Sequence, residues 1–213
     1  MEMKWLTNLE RKFYRYAIPN LMQYIVGGQI VVWALVMFIN ANLLNLLALN
    51  RFGLFSGQVW RLLTFVFIPD SYDMLYFALG CYFNWMIGTA LERSWGAGWF
   101  NLYYLFGMLG AWLGCFVTGY GSSYCLSLSL FLAFAILYPE MEFLLFFVLP
   151  VKAKWLGWLS AALWGWNFIT ASWAGKLNLA LGMLGFGLFF GPRVWHNLQA
   201  WQRRRRWQQR NRR

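Results

Sequence analysis

The sequence is poor in charge. Only 12% of its 213 residues are Asp, Glu, Lys or Arg, and seven of them are acidic. A soluble domain carries roughly a quarter charged residues. That shortage, beside 61% hydrophobic and 22% aromatic residues, excludes an ordinary soluble chain. Histidine is nearly missing: His196 is the only one. The three cysteines, Cys81, Cys115 and Cys125, all fall inside apolar segments. Their spacing fits neither a metal site nor a disulfide framework, so they read as small packing residues. No cofactor is expected. The N-terminal segment lacks the small-residue cleavage site of a signal peptide and is not expected to be removed.

What is present is apolar sequence in long runs, recurring from residue 21 to residue 191. This is the pattern of a polytopic membrane protein. Before it, Trp5, Leu6, Leu9, Phe13 and Tyr16 recur at helical spacing among Lys4, Glu10, Arg11, Lys12 and Arg15. That predicts an amphipathic helix lying on the membrane surface over residues 1–19.

The first predicted span is Leu21–Asn40, about 30 Å as a helix and so one hydrocarbon thickness. Ala41 to Pro69 is mixed, with Arg51, Gly53, Gly57, Gln58, Trp60 and Arg61 among apolar residues. It reads as a loop set partly into the interface and ended by Pro69-Asp70. Further spans are predicted at Met74–Leu91, Trp99–Thr118, Ser122–Pro139, Trp155–Ile169 and Lys176–Gly191. Gly110 and Gly114 form a GxxxG face in the third, and Gly182, Gly185, Gly187 and Gly191 make the sixth a close-packing helix. Glu140–Leu149 is an apolar run too short to cross.

The net charge of +11 is unevenly placed, with eight of eighteen basic residues in the last 21 positions. With six spans, both termini share a side with Arg93, Lys152, Lys154 and the tail, while Arg51, Arg61 and Lys176 lie opposite. The positive-inside rule puts the termini in the cytoplasm. With no targeting segment read before the first span, a prokaryotic plasma membrane is expected.

The fourth span begins with small polar residues: Ser122, Ser123, Cys125, Ser127 and Ser129. Serines let membrane helices approach closely. They act as nucleophiles only when a base activates them.

Three runs, in order, carry a resemblance. They are Gly57-Gln58-Val59-Trp60-Arg61-Leu62-Leu63-Thr64-Phe65, Gly88-Thr89-Ala90-Leu91-Glu92-Arg93-Ser94-Trp95-Gly96 and Ala133-Phe134-Ala135-Ile136-Leu137-Tyr138-Pro139. With the later Pro150 and Lys154-Trp155-Leu156, they resemble the rhomboid family of intramembrane serine proteases across residues 20–191. The resemblance implies an all-α integral membrane bundle of six transmembrane helices. Its first loop, bearing Trp60 and Arg61, would lie in the interface. Its fourth helix would start inside the membrane, at the floor of an outward-opening aqueous cavity.

The same resemblance marks what is missing. The family's Gly-x-Ser-Gly motif falls on Ser122-Ser123-Tyr124-Cys125, so Tyr124 holds the nucleophile position. The general-base histidine position is Ala180. The second-helix His and Asn positions fall at Tyr76 and Gly80. None of these four residues supplies the family's chemistry. His196 lies sixteen residues beyond Ala180, about 24 Å along a continued helix, and past Pro192. Lys176 is the remaining outer-side base for Ser122 or Ser123, although it reads first as a lysine snorkelling to the interface. Cys125 lacks a base for the same reason.

Inactive relatives of this kind, including the Derlin branch, bind transmembrane segments of other proteins. The resemblance therefore implies a non-catalytic protein acting in quality control, assembly or trafficking of membrane clients. Its client cavity would be lined by Tyr76, Asn84, Tyr124, Ser127 and Asn178. Asn84 and Asn178 read equally as interhelical hydrogen-bond partners, and Trp60, Arg61, Glu92 and Arg93 as architectural. A protease with a Ser–Lys arrangement is the alternative.

The tail, residues 192–213, is a separate feature. Arg203, Arg204, Arg205, Arg206, Arg210, Arg212 and Arg213 stand among Trp195, Trp201 and Trp207. Such a cluster attracts anionic membrane lipid at about 1 kcal/mol per residue. It is also suited to RNA, a ribosomal surface or an acidic protein, which makes a membrane tether the third reading.

Overall fold

The computed structural model describes residues 17–40, 42–145 and 149–191. Of the amphipathic segment expected at residues 1–19, residues 1–16 lie outside these, as do the arginine-rich tail and His196. The secondary structure of the described residues is helical apart from one short pair of strands. Helix α1 is Leu21–Phe38, and three one-turn helices follow: α2 (Leu43–Leu47), α3 (Arg51–Phe55) and α4 (Arg61–Thr64). Next come α5 (Met74–Trp95), α6 (Ala97–Thr118) and α7 (Tyr124–Leu137). Strands β1 (Glu142–Leu145) and β2 (Leu149–Lys152) pair antiparallel and lead into α8 (Ala153–Thr170). Helix α9 is Trp173–Gly182, and α10 is Leu184–Gly191.

Among the described residues, α1, α5 and α6 are long and apolar enough to cross a bilayer. The α9–α10 pair adds a fourth span if its 52° bend is counted within one crossing. These helices mark the chain as a membrane protein. The remaining expected spans are not simple crossings. Ser122–Pro139 yields a helix of 14 residues, about 21 Å against a hydrocarbon core of about 30 Å. Helix α8 has the length, 18 residues, but its four tryptophans and Lys154 dilute its apolar character. The sixth expected span breaks at Met183. Within the expected apolar run Glu140–Leu149, Glu142–Leu145 forms β1, with Phe143 buried against Phe83, Phe131 and Phe134.

Local chemistry sets the ends of the helices. Asp73 caps α5, its Oδ1 accepting from the amides of Leu75 and Tyr76 at 3.0 and 3.2 Å. Gly96 alone separates α5 from α6, at φ +85°, a conformation open to glycine and costly for other residues. Before α1, Asn20 adopts φ 55° and donates its amide to Glu92 Oε1 at 2.6 Å. Asn101 exchanges hydrogen bonds with the backbone of Ile18. The entry to α1 is thus tied to α5 and α6.

The first loop is ordered around Arg61, which is 5% exposed. Its guanidinium donates to the carbonyls of Asn45 and Ala48, both at 2.6 Å, and to Gln58 Oε1 at 2.7 Å. Trp60 and Thr64 bond the carbonyls of Leu46 and Leu47, and Trp112 of α6 bonds that of Leu62. Phe52, Phe55, Val59 and Leu63 face outward.

Helix α7 is at the centre, packed by α5, α6, α8 and α9. Gly110 and Gly114 of α6 let α9 and α10 approach: Gly110 lies against the Leu181 carbonyl and Leu184, and Gly114 against Asn178. Gly182 and Gly185 are likewise closely packed, while Gly187 and Gly191 have no neighbour within 4 Å at the Cβ position. Helices α5 and α8 both pack on α7 without packing broadly on each other. Helix α7 is thus the element that the others share, with Tyr124 exposed at its start.

Candidate functional site

Helices α5 and α7 start at the same end of the bundle. At the far end, Ser94 of α5 and Tyr138 after α7 share a 2.5 Å hydrogen bond. At the near end, Ser127 Oγ of α7 points to Asp70 Oδ2, just before α5, at 3.5 Å. Hydroxyls crowd this near end, but several are used locally. Ser122 Oγ accepts from the Tyr124 amide at 3.1 Å, and buried Ser129 donates back to the Leu126 carbonyl at 2.8 Å. Tyr124 is 47% exposed, and Cys125 beside it is buried. Ser123 is half-buried.

Asp70 was read from the sequence only as the end of the first loop. The structure places it among the serines. Its side chain keeps exposed surface, yet enough protein surrounds it to desolvate the carboxylate. Desolvation raises its pKa, and hydrogen bonds from Ser127 and Ser123 lower it by less. The cations of this end are engaged elsewhere. Arg51 Nη1 donates to the Phe116 carbonyl at 3.4 Å, and Arg61 is held within the loop. Lys176 Nζ stands 5.5 Å above the Trp173 ring. Among the described residues, the ion pairs are those of Glu140 with Lys152 and Lys154, at the opposite end.

Helix α9 crosses α7 where Gly182 lies against Cys125. Ala180 is two residues from this crossing and Tyr124 one. Two residues from Gly182 is the other side of the helix, and Ala180 is exposed there, so the crossing itself is made by Cys125 and Gly182 and not by the two positions singled out in the sequence. Asn178 is committed to holding the helices together. Its Nδ2 donates to the Tyr120 carbonyl at 2.7 Å and to Thr118 Oγ1 at 3.0 Å. Thr118 and Tyr120 carried no sequence signal, because a backbone carbonyl at a helix end accepts whatever donor tertiary packing brings.

The other expected lining residues are spread along α5. Tyr76 is 64% exposed in its first turn, Gly80 is exposed, and Asn84 is half-buried farther along. Glu92 fixes the entry to α1, and Arg93 is exposed in the last turn. Arg203, Arg204, Arg205, Arg206, Arg210, Arg212 and Arg213 lie outside the described residues.

Chemically, this end of the bundle offers hydroxyls, the phenols of Tyr76 and Tyr124, and the carboxylates of Asp70 and Asp73, of which Asp73 is used to cap α5. Lys176 makes no hydrogen bond to a serine among the described residues, so no hydroxyl is paired with an amine. These groups are suited to binding polar atoms. No family model, no curated protein and no solved structure matches the chain.

Proposed function

We propose that this is a non-catalytic, rhomboid-like membrane protein that binds transmembrane segments of client proteins. The observation carrying this reading is the start of α7, where Tyr124 is exposed and Ser127 reaches the Asp70 carboxylate at 3.5 Å. The resemblance implies a nucleophile at Tyr124 and a base at Ala180, and neither residue supplies that chemistry. A hydroxyl without a base is a poor nucleophile near neutral pH. Binding needs no such pair.

The exposure of Tyr124 supports the same reading, because it leaves the start of α7 reachable. A polar group on a transmembrane helix is costly in lipid. The hydroxyls and carboxylate at the start of α7 would favour clients that carry one. Six helical crossings fit the bundle if short α7, tryptophan-rich α8 and bent α9–α10 each count as one. Tryptophan prefers membrane interfaces, and α8 carries Trp155 and Trp158 near one end and Trp164 and Trp166 towards the other. In this reading, the serine end faces outward, both termini are cytoplasmic, and the tail holds anionic lipid.

The test is direct binding. Purified protein in nanodiscs is titrated with fluorescent synthetic transmembrane peptides, either plain Leu-Ala helices or helices with one polar residue. Saturable binding that prefers the polar peptides is expected. Absence of binding to every peptide would overturn the reading. A serine-directed covalent probe that labels the protein, and stops doing so in Lys176→Ala, would overturn its non-catalytic part.

A further inference from the structure

Among the described residues, Asp70 is a carboxylate without a cation. It sits at the start of α5, reached by Ser127 from α7, with exposed surface at the serine end of the bundle. In a chain of net charge +11, an unpaired acid next to membrane-spanning helices calls for an explanation. Asp70 lies in the loop ahead of α5, where surrounding protein partly desolvates its carboxylate, and a cation placed beside it would offset that cost.

The cations of the same end cannot serve as that partner as they stand. Arg61 is buried and uses its guanidinium on two carbonyls and a glutamine. Arg51 is turned to the end of α6, where its backbone amide also bonds the Gly119 carbonyl. Lys176 rests on Trp173. The three remaining described cations, Arg93, Lys152 and Lys154, belong to the opposite end, where both lysines are paired with Glu140.

We infer that Asp70 is the receptor for a cationic side chain, Lys or Arg, carried by the client helix near the end of its span. This rests on the client-binding reading above and specifies the clients' chemistry. Ser127 reaches the carboxylate at 3.5 Å through its hydroxyl, leaving the other lone pairs for an ammonium or guanidinium. An ion pair formed here also offsets the cost of the client's charge in lipid. The site thus selects helices that have not found their own partners. Tyr124, exposed one turn before Ser127, lies at the same end and offers a ring face to the cation.

The experiment compares two peptides on the wild-type protein in nanodiscs: a Leu-Ala transmembrane helix with one lysine near the end that meets the serine end, and the same helix with leucine there. The lysine peptide is expected to bind about tenfold more tightly, the worth of a charge-assisted hydrogen bond of about 1.5 kcal/mol. Asp70→Asn should remove the difference, and Asp70→Glu should restore part of it. Asp70→Lys should reverse the preference towards a peptide bearing aspartate. If both peptides bind wild-type protein equally, the inference is overturned while client binding stands. If neither binds, the client-binding reading fails, and this inference with it.

Discussion

Gly182 of α9 lies so close to Cys125 of α7 that a methyl group on the glycine would come 2.8 Å from Cys125 Sγ. This contact fixes how the last described helices meet the central one. Gly182→Ala must push α9 away, against the neighbouring Gly110 contact with Leu181. Overpacking of this kind costs about 1–3 kcal/mol. A fall in thermal midpoint in detergent is expected, and an unchanged midpoint would place α9 farther from α7.

Arg61→Ala should be more damaging. It removes hydrogen bonds to Asn45, Ala48 and Gln58 and leaves two carbonyls unpaired in a packed loop. A loss of about 3 kcal/mol is expected, since hydrogen bonds to charged groups are worth about 1.5–3 kcal/mol each. Arg61→Lys should recover little of it, because an ammonium lacks the planar fork that reaches all three acceptors. Chemical unfolding in mixed micelles measures both.

Asn178→Leu should cost about 1–2 kcal/mol by unpairing the Tyr120 carbonyl and Thr118 from α9. Hydrogen exchange of the first turns of α9 should accelerate in this variant, while that of α5 stays as it was.

Glu140 provides a pH test. Hydrogen bonds from Lys152 and Lys154 pull its pKa down to about 2, and they raise that of Lys152. A depressed carboxylate contributes stability that is complete above the ordinary carboxylate range and is lost as pH falls through about 2. The base of the strand pair should therefore keep its pairing at pH 4, where a free glutamate is half protonated. All three groups are exposed, so high salt should weaken the pairing. NMR titration of a labelled Glu140 carboxyl gives the answer, and titration near pH 4 would refute the pairing.

Asp70 has the opposite sign. Desolvation raises its pKa, so the ionised form is less welcome in the folded protein than in the unfolded chain. Its penalty is absent at low pH, grows as pH rises from the ordinary carboxylate value to the raised one, and is complete above. Asp70→Asn should accordingly be more stable than wild type at pH 8, with the gap closing as pH approaches 4. Equal midpoints across that range would mean the carboxylate is well solvated.

Much of the fold is legible in the sequence, because apolar runs and glycine spacing act locally. Leu21–Phe38, Met74–Trp95 and Ala97–Thr118 lie where hydropathy puts them, and Gly110 and Gly114 meet another helix as their spacing predicts. The strand pair of Glu142–Leu145 and Leu149–Lys152 was not legible, since a short apolar run has no period that separates strand from helix. Asp70 was missed for a different reason. Its meaning depends on which cations are near and already engaged, and only tertiary structure sets that. Asn178 shows the same limit: an asparagine on an apolar helix suits a cavity or a helix contact, and the nearby Tyr120 carbonyl decides for the contact.

The most direct measurement of client binding is photocrosslinking in cells from position 124, with a photoreactive residue replacing Tyr124 at the exposed start of α7. The account predicts adducts that map to transmembrane segments of particular membrane proteins, enriched in segments carrying Lys or Arg near one end. Adducts only to lipid, or to α5 and α9 of the same chain, would contradict it.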